Sequence, residues 1–283
     1  METIAVTGGS GKLGSAVIRA LQHAGYGAVS IDRRTSGELS CRQLIVDLSD
    51  LGQLASALQG ADAVIHLAAI PAPLLYPPAH IFTNNVLSGY NVLEAAGLLG
   101  IRRVVLGSSE SSYGFAWAPQ PFSPEYVPVD EQHPQQPREC YGLSKVVNEA
   151  TAAMFSRRGG MKTVSLRFST VMTEAEYAHI QPAQPERYVR TLWSYIDIRD
   201  AAAACLAALK HGEAAPGNLN ITADDTLSAW PTDRLLNEFY PEVLDRRSRF
   251  EGREAVVSNR LAKETLHWQP RYSWMEGRQA SQT

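Results

Sequence analysis

Residues 7–14 are Thr7-Gly8-Gly9-Ser10-Gly11-Lys12-Leu13-Gly14, and they separate an apolar strand pattern at 4–7 from a helical pattern at 12–24. The stretch satisfies both G-x-x-G-x-x-G and G-x-G-x-x-G. Glycine is needed because the turn has unusual dihedral angles and because the backbone must approach a pyrophosphate closely. The free N–H groups of the following helix attract phosphate. This pattern predicts a dinucleotide-binding loop, whose cofactor-binding residues are Gly8, Ser10, Gly11, Lys12, Leu13 and Gly14.

Asp32 ends the predicted second strand, at the distance expected for the acid that binds an adenosine ribose. Its carboxylate accepts both ribose hydroxyls and repels a 2′-phosphate. Arg33 and Arg34 follow, and arginines at this place accommodate the phosphate of NADP. We favour NAD, with NADP as the alternative and Arg33 among the contacts. Asp47 and Leu48, after the third strand, suit the adenine pocket.

Short apolar runs alternate with helical patterns over the first two thirds of the chain. Strands are predicted at 4–7, 28–31, 43–46, 63–67, 103–106 and 163–167, and helices at 12–24, 51–58, 81–99 and 142–155. This alternation indicates right-handed βαβ units, and continuous apolar strands indicate a sheet covered on both faces. The predicted fold is therefore α/β, a Rossmann-type doubly wound parallel sheet.

Two regions depart from this rhythm. Residues 116–138 contain six prolines and predict an irregular loop that shapes a site, in which His133 is expected to be solvated. After Thr173 the pattern weakens, apart from a helix at 201–209. We therefore expect a cofactor-binding domain with the catalytic residues over 1–172. A small C-terminal substrate-binding subdomain, interleaved with it, is expected over 173–283.

Composition excludes several classes of function. The net charge of -3 and pI near 6.2 give no reason to expect nucleic-acid binding. No apolar run approaches the roughly 20 residues of a membrane span, and no signal peptide is recognised at the N-terminus. Three widely spaced cysteines suit a reducing compartment and lack the spacing of a metal site. These features predict a cytoplasmic protein that acts on a small molecule without a metal.

Tyr141 and Lys145 form Tyr-x-x-x-Lys at the start of a predicted helix, so both side chains lie on one face. An ammonium near a phenol favours the phenolate and lowers the tyrosine pKa from about 10. Tyr141 is thus a candidate general base for a hydroxyl proton. Ser108 and Ser109 end a predicted strand, where a hydroxyl can donate to a substrate oxygen.

These motifs together resemble those of the extended short-chain dehydrogenases/reductases, the superfamily of NAD-dependent sugar epimerases, dehydratases and dehydrogenases. The matching stretches are residues 7–14, Asp32, residues 66–69, residues 85–96, Ser108-Ser109, residues 141–145, residues 166–168, residues 195–200 and residues 268–270. The resemblance implies that Tyr141 is the base, Lys145 the ribose ligand and Ser109 the substrate-oxygen donor, with Ser108 as the alternative. It further implies cofactor contacts from Leu67, Ala68, Ala69, Asn85, Tyr141, Lys145 and Phe168.

Departures from the family patterns reduce the number of activities that this chain is expected to have. Dehydratases have Thr-Asp-Glu where this chain has Ser109-Glu110-Ser111, so a carboxyl needed for dehydration is missing at Ser111. Uronate dehydrogenases have the most similar shape, and their sugar carboxylate binds an arginine in the stretch that holds Arg187 and Arg190. They have Asn-His in place of Glu110-Ser111, and an acid at Glu110 disfavours a carboxylated sugar.

The leading hypothesis is an NAD(P)-dependent oxidoreductase that acts on a sugar-like secondary alcohol or lactol. Its candidate substrate-binding residues are Ser109, Glu110, Ser111, Arg187 and Arg190. The alternatives are an NAD-dependent sugar epimerase and a nucleotide-binding protein without catalysis. The resemblance also implies a homodimer through the two long helices.

Overall fold

A parallel seven-stranded sheet forms the centre of the molecule, which confirms the predicted α/β class. The computed structural model describes residues 1–212 and 217–276. The strands are β1 (Thr3–Thr7), β2 (Gly27–Asp32), β3 (Arg42–Ile45), β4 (Ala63–His66), β5 (Arg103–Ser109), β6 (Lys162–Phe168), β7 (Thr170–Met172), β8 (Tyr195–Asp197) and β9 (Asn218–Ile221). The α-helices are α1 (Lys12–His23), α2 (Leu51–Ala57), α3 (Pro78–Leu98), α4 (Cys140–Gly159), α5 (Ile198–His211), α6 (Thr232–Phe239) and α7 (Arg260–Leu266).

Strand order in the large sheet is β3-β2-β1-β4-β5-β6-β9. The chain therefore leaves β1 towards β2 on one side and returns to β4 on the other. Ala5 of β1 pairs with Val29 of β2 and with Val64 of β4, all in parallel. In open parallel sheets, ligands bind at such a reversal, at the carboxyl ends of the strands. The glycine-rich loop and the predicted catalytic residues all lie at this edge.

Helices cover both faces of the sheet, as its continuous apolar strands require. On one face, Leu21 of α1, Cys205 of α5 and Leu266 of α7 join one buried core cluster. On the other, α2, α3 and α4 contribute to a second cluster with residues such as Leu54 and Phe155. Burial on both faces holds the strand ends rigidly in place for a binding site.

A third apolar cluster joins the proline-rich loop to the C-terminal region. It includes Phe115 and Val127 from the loop side and Trp193 and Leu236 from the later chain. The chain after residue 172 also adds β9 to the edge of the large sheet, beside β6. Residues on both sides of that position thus share the same packed structures. The division into 1–172 and 173–283 stays a prediction.

His133 is buried in this loop, so the expectation of a solvated histidine is wrong. The backbone N–H of Glu125 donates to its Nε2 at 3.0 Å, and its ring lies 4.8 Å from that of Tyr126. The reason is that the proline-rich loop packs onto the third cluster instead of extending into solvent.

Cys41, Cys140 and Cys205 are free thiols, as their spacing predicts. Along residues 1–212 and 217–276, no helix combines the length and the apolarity that crossing a membrane requires. The longest of them, α3, has two asparagines and a serine among its buried positions.

Candidate active site

The glycine-rich loop is folded tightly between β1 and α1. The N–H of Gly8 donates to the carbonyl oxygen of Ile31 at 2.9 Å, and Gly8 has a φ of 71°. A Cβ atom on Gly8 would lie 2.6 Å from the backbone nitrogen of Ala68, and one on Gly14 would lie 2.1 Å from Gly8 O. No side chain fits at either position. The loop therefore packs against Leu67 and Ala68 at the end of β4. This close packing leaves the backbone N–H groups of the loop open to a pyrophosphate.

We expect Gly14→Ala to lower the affinity for NAD by about tenfold or more, because the added methyl forces the Gly8 carbonyl to move. Calorimetric titration with NAD measures the change, and urea unfolding measures the accompanying loss of stability. Gly37→Ala is the matched control, since a Cβ there meets nothing within 4 Å. An unchanged affinity in Gly14→Ala would show that the loop does not hold the cofactor.

Asp32 lies at the carboxyl end of β2, directly beside the loop. Its Oδ2 accepts a hydrogen bond from the N–H of Ser10 at 3.1 Å, and its Oδ1 accepts one from the N–H of Arg33 at 2.7 Å. A carboxylate has about four acceptor sites, so it can also accept the two hydroxyls of a ribose. Arg33 is exposed next to it.

Further cofactor candidates lie along the same edge. Asp47 is exposed and accepts two bonds from Ser49, while Leu48 O accepts from Asn91 Nδ2 at 2.9 Å. Lys12 Nζ donates to Val171 O at 2.8 Å and forms an ion pair with Glu176. Its side chain thus connects the loop to the segment after β7.

Asn85 holds the segment that follows β4. Its Oδ1 accepts from the N–H of Ile70 at 2.8 Å, and its Nδ2 donates to Ile70 O at 3.1 Å. The same amide lies 3.3 Å from Ser144 Oγ on α4. Asn85 therefore joins three elements, and it fixes where Leu67, Ala68 and Ala69 lie along the cofactor edge.

Packing of α4 against the end of β5 brings the predicted catalytic residues together. The Glu139 side chain caps α4 by accepting from the N–H groups of Tyr141 and Gly142, at 2.5 and 2.6 Å. A Cβ atom on Gly142 would lie 2.4 Å from Ser111 O, so the helix start touches the turn after β5. This contact places the phenol of Tyr141 beside the hydroxyl of Ser109.

The expectation that Lys145 lowers the pKa of Tyr141 is wrong for the protein chain by itself. Burial raises the pKa of Tyr141 to about 12, Glu139 and Glu110 add to the rise, and Ser109 opposes it. Lys145 Nζ donates to Gly107 O at 2.7 Å and lies 5.6 Å from the centre of the Tyr141 ring. Burial also lowers the pKa of Lys145, to about 8. Desolvation disfavours the charged form of both groups, and it dominates the pKa of Tyr141.

Ser108 and Ser109 have different partners. Ser108 Oγ donates to Glu149 Oε1 at 2.6 Å, within a buried network in which Arg167 donates two bonds to Glu149, at 2.9 and 2.8 Å. Ser109 lies beside Tyr141 instead. This difference favours Ser109 over Ser108 as the substrate-oxygen donor. Sequence reasoning missed Glu149, although it lies four residues after Lys145, on the same face of α4.

Phe168 and Ser169 lie where β6 ends beside β5. Phe168 is buried and pairs with Ser109 in the sheet register. Ser169 is buried, and its side chain hydrogen-bonds to the Glu110 carboxyl. The glycine cradle, Asp32 and these strand ends together fit a bound dinucleotide whose reactive end lies near Ser109.

The candidate substrate-binding residues do not all lie next to Ser109 and Tyr141. Glu110 is half-buried beside Tyr141 and is hydrogen-bonded to Ser194, and Ser111 is buried with its N–H on Ser109 Oγ at 3.1 Å. Arg187 and Arg190 are exposed on a 3-10 helix, Pro185–Thr191. Within the described chain, neither guanidinium bonds to a catalytic residue, and Arg190 Nη1 donates to Ala118 O at 2.8 Å.

Residues 4–222 match the NAD dependent epimerase/dehydratase family. The chain belongs to this family. The resemblance inferred from the motifs is thus confirmed, and the NAD prediction agrees with the NAD dependence of the family.

Relatives within the family have two kinds of activity. The chain is 32% identical to L-arabinose 1-dehydrogenase (NAD(P)(+)) of Haloferax volcanii, over 68% of this chain and 77% of the relative. It is 26% identical to UDP-glucose 4-epimerase of Rhizobium leguminosarum, over 97% and 94%. Uronate dehydrogenase of Pseudomonas putida is 29% identical, over 44% and 43%.

A solved structure of a short-chain dehydrogenase/reductase superfamily protein from Agrobacterium tumefaciens, with bound NAD, has the same fold. Its TM-score is 0.77 at 27% identity, over 99% of this chain and 96% of the other. The similarity of fold thus extends over nearly the whole length of both chains.

Proposed function

We propose that this protein is an NAD(P)-dependent oxidoreductase that moves a hydride between the nicotinamide and a secondary alcohol or lactol of a sugar. One observation carries the proposal: Ser109, Tyr141 and Lys145 converge at the carboxyl ends of the strands, beside the glycine-rich loop. That convergence joins a donor, a proton acceptor and a cation at the predicted nicotinamide position.

When bound, NAD supplies the hydride acceptor and a positively charged ring. Ser109 donates a hydrogen bond to the substrate oxygen and orients its hydroxyl towards Tyr141. Tyr141 accepts the hydroxyl proton, and Lys145, one helical turn further along α4, binds the ribose of the cofactor. Burial of Tyr141 and Lys145 excludes water and strengthens these interactions.

The second candidate is a sugar epimerase, in which the hydride returns to the opposite face of the same substrate. The similarity to UDP-glucose 4-epimerases over nearly the whole chain favours it. A nucleotide-binding protein without catalysis is the third candidate. It does not account for the convergence of Tyr141, Lys145 and Ser109, which binding by itself does not need.

Other parts of the proposal concern partners and location. The substrate-binding residues are proposed to be Ser109, Glu110, Ser111, Arg187 and Arg190. A homodimer is proposed through α3 and α4, because these helices expose the apolar side chains Leu87, Tyr90 and Leu143. Light scattering tests this proposal. The free thiols support a reducing, cytoplasmic location.

The test incubates the purified protein with NAD or NADP and a panel of free aldoses, uronic acids and nucleotide sugars. Absorbance of the reduced nicotinamide reports oxidation, and proton NMR of the same samples reports epimers. Growth of absorbance with a free sugar is the expected result, and it also decides between NAD and NADP. New epimer signals without absorbance would favour the epimerase, and silence in both with NAD bound would favour the binding protein.

A further inference from the structure

Glu110 is a carboxyl group placed directly among the catalytic residues, and the proposed proton transfer does not use it. It follows Ser109 in the chain and begins a 3-10 helix, Glu110–Tyr113, at the end of β5. Its charge raises the pKa of Tyr141, and its carboxyl contacts the first residue of β7, Thr170, and the residue before β8, Ser194. Any sugar that reaches Ser109 and Tyr141 therefore meets this carboxyl.

Within the described residues, no cation is paired with Glu110. Among the ion pairs within residues 1–212 and 217–276, none includes Glu110. The ionisable group beside it is Tyr141 of α4, while the Lys145 ammonium donates to Gly107 O. Ser169, Thr170 and Ser194 present hydroxyls to its carboxyl. Glu110 therefore presents to a ligand an acid that has no ion-pair partner within the described residues.

The two contacts of the Ser194 hydroxyl favour a protonated Glu110 carboxyl. Ser194 Oγ lies 2.6 Å from Thr191 O, which can only accept, and it also contacts Glu110 Oε2. A hydroxyl has one proton, so both contacts are satisfied when the carboxyl is protonated. Burial raises the pKa of Glu110 to about 8, with hydrogen bonds from Ser194, Ser169 and Thr170 opposing the rise. The group is then neutral below that pH and anionic above it.

We propose that Glu110 makes this site selective for uncharged sugars over sugar acids, and that the selectivity increases with pH. This inference rests on the proposed function, because it takes the substrate to be a sugar. A protonated carboxyl donates to and accepts from sugar hydroxyls at neutral pH. Once ionised, it still accepts from hydroxyls but repels a carboxylate at short range, where little water screens the charges.

The test measures binding to the NAD-loaded Tyr141→Phe variant, so that no turnover intervenes. L-arabinose, D-galactose and D-galacturonate share one ring configuration and differ only in the group on C5. Calorimetry at about pH 7 and about pH 9, on either side of the Glu110 pKa, measures the ratio of their dissociation constants. We expect both neutral sugars to bind more tightly than D-galacturonate, and the ratio to increase by about tenfold or more at the higher pH.

Adding Glu110→Gln to the same variant removes the ionisable group, so the ratio is expected to become independent of pH. Glu186→Gln, at an exposed carboxyl on the helix that holds Arg187, is the matched control and is expected to keep the pH dependence. If Glu110→Gln does not fold, the pH dependence of the parent decides by itself.

Tighter binding of D-galacturonate, a ratio that does not change with pH in the parent, or no binding by any of the sugars would overturn the inference. Selective binding of neutral sugars without NAD reduction by the wild-type protein would contradict the proposed oxidoreductase and leave this inference standing.

Discussion

Tyr141→Phe is expected to lower kcat for sugar oxidation by about a thousandfold, because it removes the group that accepts the hydroxyl proton. The ring of Tyr141 is buried, and its hydroxyl lies beside Ser109, so the phenylalanine fills the same space and leaves the cofactor cradle intact. We therefore expect the dissociation constant for NAD to stay within a few fold of the wild-type value. Stopped-flow absorbance and calorimetry measure the two quantities.

Tyr90→Phe is the matched control for this prediction. Tyr90 lies on α3 with its side chain exposed, so the loss of its hydroxyl should leave kcat unchanged. If Tyr141→Phe keeps most of the wild-type rate, Tyr141 is not the base. If it loses NAD affinity to the same degree as rate, its role is to hold the cofactor.

Arg167→Met is expected to have the largest effect on stability, about 3–5 kcal/mol in the free energy of unfolding. Arg167 and Glu149 are both buried, with their side chains 3% and 4% exposed. Removing the guanidinium leaves the Glu149 carboxylate without its charged partner in the protein interior. It also removes the bond from Arg167 Nη1 to Tyr113 OH, at 2.9 Å. Urea unfolding monitored by tryptophan fluorescence measures the loss.

Arg158→Met provides the comparison, because Arg158 forms an ion pair with Glu94 at 2.9 Å while its side chain is 58% exposed. Water already screens that pair, so its loss should cost about 1 kcal/mol or less. Replacing both Arg167 and Glu149 with methionine should recover part of the stability lost in Arg167→Met, since no buried charge is then left alone. Equal losses for Arg167→Met and Arg158→Met would contradict the buried-pair argument.

Ser108 shows why the buried network also concerns the site. Its hydroxyl is held by Glu149, which lies one helical turn after Lys145 and raises the pKa of that lysine against the effect of burial. The strand that carries Ser109 and the helix that carries Tyr141 are therefore connected through one carboxylate. In Arg167→Met we expect the loss of stability to be accompanied by a loss of rate, because these two elements lose their common anchor.

The glycine-rich loop, Asp32 and the Tyr141–Lys145 pair could be recognised from sequence because each depends on local chemistry. A glycine is required wherever backbone meets backbone, as at Gly14, and a spacing of four residues places two side chains on one helix face. Strand and helix periodicity likewise identified most strands of the large sheet before β9 and the helices between them. These signals need no knowledge of which distant residues come into contact.

Other predictions were wrong, and some features were missed, because they depend on contacts between distant segments. His133 lies in a stretch that looks solvated, yet the loop packs onto residues that follow it by about a hundred positions. The pKa of Tyr141 is raised by burial, which the Tyr-x-x-x-Lys spacing does not reveal. β9 is a short strand in a weakly patterned region, and it is stabilised by pairing with β6.

The sequence by itself therefore determined the fold class and the family, because short-range spacing encodes loops, helix faces and strand ends. Only the tertiary structure decided which serine faces Tyr141, which carboxyl lies beside it without a cation, and which charges are buried. Those properties arise from desolvation and from pairing between β5, α4 and β6, segments that are far apart in the chain and adjacent only when it is folded.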